Sequence, residues 1–140
     1  LLFLFAVVWV TDVLGYFGGR ALGGRKLAPA ISPGKTWSGA IVGTIGAMAV
    51  TAAGAHVLGD VKLYVVAALA LVLSVAAQLG DLLESRIKRQ FGAKDAGRFI
   101  PGHGGVMDRL DGFWAAALVA CLIGVARGGL EAPARGLLGW

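Results

Sequence analysis

The chain has 140 residues, 57% of them hydrophobic and 15% charged, with a mean hydropathy of +0.77. A soluble domain carries about 25% charged residues, so the composition excludes an ordinary water-soluble fold and points to an integral membrane protein. The formal net charge of +5 favours acidic partners such as phosphates or anionic lipid heads, and a single cysteine, Cys121, excludes an intrachain disulfide or a multi-cysteine metal site.

The first apolar stretch covers about residues 1–19 and opens LLFLFAVVWV. It has neither the basic lead-in nor the small-residue cleavage site of a secretory signal. The expectation is that Leu1 lies inside a membrane helix of a longer protein whose N-terminal helices are missing, with 1–140 a single transmembrane unit. Asp12 is costly in such a segment unless it is paired or hydrated. Helical spacing puts Asp12, Tyr16 and Gly19 on one face. That predicts either a structural partner such as Arg20 or a polar cavity.

The next segment, 20–35, is basic, with Arg20, Arg25, Lys26 and Lys35. It leads into ISPGKTWSG, residues 31–39. Ser32-Pro33-Gly34 reads as a turn. Lys35 and Thr36 then open a helix, where free N–H groups and a lysine suit a phosphate. The glycine spacing of a Walker loop is absent, and a capped helix with a snorkelling lysine is the plainer alternative.

The second apolar stretch, about 37–58, repeats small residues at Gly39, Gly43 and Ala47. Gly15, Gly19 and Gly23 have the same spacing. Such spacing lets helix backbones approach in lipid, either across a dimer or within one bundle. His56, near the far end, reads as structural.

In the third stretch, about 61–83, Gln78, Asp81, Ser85 and Lys88 fall on one helical face. The helix is expected to run on past the membrane. Segment 84–111 holds six more basic residues and the run KDAGRFIPGHGG. Pro101-Gly102-His103-Gly104-Gly105 cannot be helical, and its backbone can come close to a ligand. Asp108 and Asp111 then enter a fourth apolar stretch, about 113–130. Carboxylates at this spacing can share a hard cation, and magnesium prefers a few carboxylates plus phosphate oxygens. One nearby imidazole, His103, and no thiolate cluster argue against zinc.

The two polar segments carry ten of the thirteen Lys and Arg residues. The positive-inside rule makes both cytoplasmic, with Trp37 and Trp114 as interface anchors. The fold expected is all-α: a polytopic bundle of about four transmembrane helices with two basic loops forming the site. Carboxylates for a cation, bases for phosphates and glycines for close backbone approach suit phosphoryl or nucleotidyl transfer. A transporter with intramembrane Asp12 and Asp81 would instead call for broken helices or inverted repeats, and neither is visible.

The run SRIKRQFGAKDAGRFIPGHGGVMDRLD, residues 85–111, resembles the signature of the CDP-diacylglycerol synthase family. It matches at Ser85, Lys88, Arg89, Lys94, Asp95, Gly97, Ile100, Pro101, His103, Gly104, Gly105, Asp108, Arg109 and Asp111. DVLGYFGGRALG and LAPAISPGKTWSG resemble the family's upstream motifs, with Gly15 where alanine is frequent and Ser38 where an acidic residue is common. The resemblance implies that CTP and phosphatidate become CDP-diacylglycerol and pyrophosphate, by in-line attack of the lipid phosphate on the α-phosphorus.

It implies Mg²⁺ on Asp81, Asp108 and Asp111, with Lys88 also catalytic. A monovalent cation such as K⁺ stays open. The substrate-binding residues implied are Ser32, Lys35, Thr36, Arg89, Lys94, His103, Gly104, Gly105 and Arg109, supported by Asp12, Gln78, Ser85 and Asp95. It further implies a homodimer in the bacterial inner membrane, a site facing the cytoplasm, and no nucleic-acid partner. A CTP-dependent polyprenol kinase is the nearest alternative.

Overall fold

Each apolar stretch becomes a helix, because backbone polar groups in lipid must be satisfied within their own segment. The computed structural model describes residues 1–58, 62–90, 111–130 and 133–138. Helix α1 spans Leu2–Leu22, α2 Trp37–Leu58, α3 Leu63–Gln90 and α4 Asp111–Gly128. All four are long and apolar enough to cross a membrane. The expected all-α polytopic bundle is therefore present, and the chain is that of an integral membrane protein.

Helix α2 runs antiparallel to α1, and α3 antiparallel to α2. Gly43 of α2 packs beside Thr11 and Gly15 of α1, whereas Gly39 packs beside Gly15 and Gly19. Ser74 of α3 meets Thr44 of α2, and Gln78 meets Ala40. Gly80 faces Ala115 of α4, and Gly112 faces Ala77. The small-residue spacings noted in α1 and α2 thus serve contacts within the bundle.

The core is correspondingly fine-grained. It joins Leu4, Val7 and Val8 of α1 to Ala47, Ala70, Leu73, Ala77, Ala116 and Ala120. Larger apolar side chains such as Leu2, Trp9, Tyr64, Leu118 and Leu122 point outward, as expected where the surroundings are lipid. Helix α3 has 28 residues, about 42 Å at 1.5 Å per residue. That exceeds a hydrocarbon core of about 30 Å, so α3 runs on to Gln90 as anticipated.

Between α1 and α2 the chain forms a two-stranded antiparallel hairpin, β1 (Lys26–Ala28) and β2 (Ser32–Thr36). This corrects the reading of Ser32-Pro33-Gly34 as a turn. The turn lies at 29–31, closed by the Ile31 N–H donating to Ala28 O at 3.1 Å. Lys26 pairs with Thr36 and Ala28 with Ser32, with a register shift between them. The extra length of β2 at Pro33 and Gly34 falls in that shift. Proline is tolerated in a sheet at such an edge or irregularity.

A short helix, α5 (Pro133–Leu138), follows α4 and was not foreseen. Proline is favoured at a first helical position. Arg127 Nη1 donates to Gly136 O at 2.7 Å, and Gly136 packs against Gly124 and Gly128.

These connections bring the end of α1, the hairpin, the start of α2, the end of α3 and the start of α4 to one end of the bundle.

Candidate active site

At that end, α1, the hairpin, α2 and α3 enclose an open cavity of about 640 Å³. This is within the usual range for small-molecule sites, about 300–1,000 Å³. Asp12, Tyr16 and Gly19 line its α1 wall, as their helical spacing predicted. Gln78 and Asp81 line the α3 wall, and Lys35 enters from β2.

Lys35 Nζ donates to Asp81 Oδ2, forming an ion pair. Ser85 Oγ lies 3.4 Å from Asp81 Oδ1. The pair joins residues 46 positions apart, and each side chain is a little over a quarter exposed. A half-buried pair of this kind keeps both charges at the cavity wall, where solvent screens them less than at an open surface.

Lys35 is aimed by the hairpin, which is seated by Thr36. Thr36 Oγ1 accepts the Gly39 N–H at 3.2 Å, capping α2. Thr36 Oγ1 is also 3.0 Å from Ser38 Oγ, and Ser38 Oγ donates to Gly23 O, just past the end of α1. Gly23 has φ 61°, a left-handed conformation that glycine adopts without strain. A Cβ at Gly19 would come within 2.7 Å of Thr36 Oγ1, so the hairpin can rest on α1 only because residue 19 has no side chain.

Two of the N–H groups expected to be free at the start of α2 are taken. The Trp37 N–H goes to Arg25 O at 3.0 Å, and the Gly39 N–H goes to Thr36. A phosphate would meet the lysine side chain instead of these two donors. Thr36→Val keeps the shape but orphans the Gly39 N–H. The expected cost is about 1 kcal/mol, read as a lower melting temperature in detergent, with Thr36→Ser close to wild type.

The other foreseen residues among those described are not part of the cavity lining. Ser32 pairs with Ala28 in the hairpin and is outside the lining. Arg89 Nε donates to Ile31 O, tying the end of α3 to the hairpin turn. Lys88 Nζ is 2.9 Å from Glu84 Oε1, a pair within α3. Asp111 begins α4, where its Oδ1 accepts the Gly112 N–H at 2.6 Å. Asp81, Glu84 and Lys88 are among the charges that bear on it. Lys94, Asp95, His103, Gly104, Gly105, Asp108 and Arg109 lie outside the described residues.

Arg20 was considered as a partner of Asp12. Its Nη1 instead donates to Tyr16 Oη at 3.1 Å, and Arg20 lines the cavity together with Lys26. Neither was singled out for the site. Arg20 was legible, since it stands eight residues from Asp12 on the same helical face. Lys26 becomes visible only through its pairing with Thr36.

Among the described residues, no three acidic, imidazole or thiol groups gather closely enough to hold a metal ion. Asp81 and Asp111 are oxygen donors whose charges bear on each other. That donor type fits Mg²⁺, with its preference for a few carboxylates and substrate oxygens.

Residues 1–126 match the cytidylyltransferase family. A phosphatidate cytidylyltransferase of Brucella abortus is 57% identical over 124 residues, covering 89% of this chain and 46% of the relative. Phosphatidate cytidylyltransferases of Haemophilus influenzae and Staphylococcus saprophyticus are each 45% identical, over 121 and 114 residues. They cover 83% and 81% of this chain, and 42% and 44% of the relatives. The chain thus spans less than half the length of the curated relatives it matches. With a match over 126 of its 140 residues, the chain belongs to the cytidylyltransferase family.

Proposed function

We propose that the protein carrying this chain is a phosphatidate cytidylyltransferase, converting CTP and phosphatidate to CDP-diacylglycerol and pyrophosphate. The observation that carries the reading is the meeting of Lys35 with Asp81 in an open cavity at one end of a membrane bundle, in a chain of this family.

The chemistry follows from charge. A phosphatidate oxygen attacks the α-phosphorus of CTP in line, a P–O bond forms, and the bond to the β-phosphate oxygen breaks to release pyrophosphate. The attacking phosphate is already anionic, so no general base is needed. What the protein must supply is positioning and charge neutralisation. Lys35, Arg20 and Lys26 line the cavity and are placed to hold phosphate oxygens. Asp81 holds the Lys35 ammonium at the wall. Asp81, Asp111 and Asp108 would hold Mg²⁺, which supplies neutralisation of the triphosphate charge. The acyl chains stay in the bilayer while the headgroup enters the cavity. A cytoplasm-facing site in a bacterial inner membrane, and assembly as a homodimer, belong to the same reading.

The test uses the native protein that carries this chain, in detergent micelles with phosphatidate and CTP labelled in the cytidine, and in parallel with a polyprenol and CTP labelled in the γ-phosphate. The expected result is labelled CDP-diacylglycerol that depends on added Mg²⁺, with pyrophosphate in equal amount. Transfer of the CTP γ-phosphate to a polyprenol, with no CDP-lipid, would replace this reading by a lipid kinase.

A further inference from the structure

The cavity floor is polar by way of a hydrogen-bond chain that crosses three helices. Thr11 of α1 and Ser74 of α3 are 2.8 Å apart through their hydroxyls, and Ser74 lies 3.1 Å from Thr44 of α2. Ser74 is fully buried, and Thr11 nearly so. Gln78 closes the chain. Its Nε2 reaches Thr44 Oγ1 at 2.9 Å, Ser74 Oγ at 3.3 Å and Ala40 O at 3.4 Å.

Proton accounting favours one orientation of this amide. With the Thr44 hydroxyl donating to Ala40 O at 2.9 Å, its oxygen accepts from Gln78. Ala40 O is a carbonyl and accepts only. Turning the amide over would set its oxygen against both. The NH₂ group therefore faces the buried chain, and Oε1 faces away from it. Among the described residues, no buried side-chain nitrogen or oxygen lacks a partner. Gln78 Oε1, which takes no hydrogen bond there, is thus open to the cavity that Gln78 lines. It stands three residues, about 4.5 Å of helix rise, beyond Asp81 into the bundle.

A carbonyl acceptor at that depth can be met by a neutral donor on a substrate. On the reading given under Proposed function, only one of the two substrates has any. A diacylglycerol phosphate offers ester and phosphate acceptors, whereas CTP offers ribose hydroxyls and the exocyclic amine of its base. We propose that Gln78 is a specificity-determining residue of the nucleotide site. Its side-chain carbonyl accepts a hydrogen bond from a neutral O–H or N–H of the nucleotide, and Ser74 and Thr44 are positioning residues that hold it in that orientation. Sites built to bond a substrate hydroxyl or amine reject analogues that lack it.

The experiment compares CTP, dCTP and UTP as substrates of the native protein and of Gln78→Met, with phosphatidate as the common acceptor. In wild type, at least one analogue is used less well than CTP. In Gln78→Met that preference falls about tenfold, the order expected for one hydrogen bond, mainly through KM. Collapse of the CTP/dCTP ratio alone assigns the contact to the ribose. Collapse of the CTP/UTP ratio alone assigns it to the amine. Ser74→Ala moves the same ratio in the same direction by a smaller factor, and carries the test if Gln78→Met does not fold. An equal fall in kcat/KM for all three nucleotides, or no change in either ratio, overturns the proposal and leaves Gln78 a packing residue. A wild type that makes no CDP-lipid from any of them defeats the underlying function, and the inference with it.

Discussion

Asp81→Asn is expected to lower kcat/KM by about a thousandfold, the scale of losing a principal charge-handling group in a transfer site. The substitution keeps the side-chain volume but removes the charge that Lys35 meets. Two readings of Asp81 predict different outcomes for a second change. If Asp81 only balances Lys35, the damage in Asp81→Asn is a half-buried ammonium without its counter-ion. Removing both partners of such a pair is often close to neutral, so adding Lys35→Met would restore activity. If Lys35 acts on phosphate oxygens and Asp81 on the cation, the double variant stays at or below the single one. The second outcome is expected. Initial rates of CDP-lipid formation, measured across a Mg²⁺ titration, check it. Asp81→Asn should also need more Mg²⁺ for its residual rate. A single variant with wild-type rate and Mg²⁺ dependence removes Asp81 from the site.

Much of this site was legible because helical spacing alone delivers it. Asp12, Tyr16 and Gly19 are three or four residues apart, as are Gln78, Asp81 and Ser85, and each set does share a face. The membrane helices were legible from length and apolar content. Three things were not. Ser32-Pro33-Gly34 has local turn chemistry, and its place in a strand depends on pairing with Lys26–Ala28, which local chemistry does not encode. The bonding partner of Arg20 was read as Asp12 by charge, yet Tyr16 stands one turn before it and takes the bond. Thr11, Thr44 and Ser74 are small polar residues in apolar runs, unremarkable until three helices bring their hydroxyls within 3.1 Å of one another in sequence.

Gly43→Leu is expected to have the largest effect on the fold, a destabilisation of about 3 kcal/mol, at the upper end of the overpacking range. A Cβ at Gly43 would collide with Thr11 O and lie 3.2 Å from Gly15 Cα. Both are backbone atoms, so no side chain can turn aside. The rest of the leucine would force α1 and α2 apart along their closest seam, where Gly39 already lies against Gly15 and Gly19. Helix association in lipid relies on such close packing, since burial from water contributes little there. Gly54→Ala is the control on the same helix: nothing lies within 4 Å of its Cβ position, so stability should stay within about 0.5 kcal/mol of wild type. Thermal unfolding in detergent, with size-exclusion profiles, separates the two. The consequence reaches the chemistry, because α1 carries Asp12 and Arg20, whereas α2 is capped by the strand that presents Lys35. Folded Gly43→Leu should therefore lose activity with both substrates present in excess, since parting the helices widens the cavity across which those groups must act together. A variant that melts with wild type would mean that α1 and α2 do not meet along this seam.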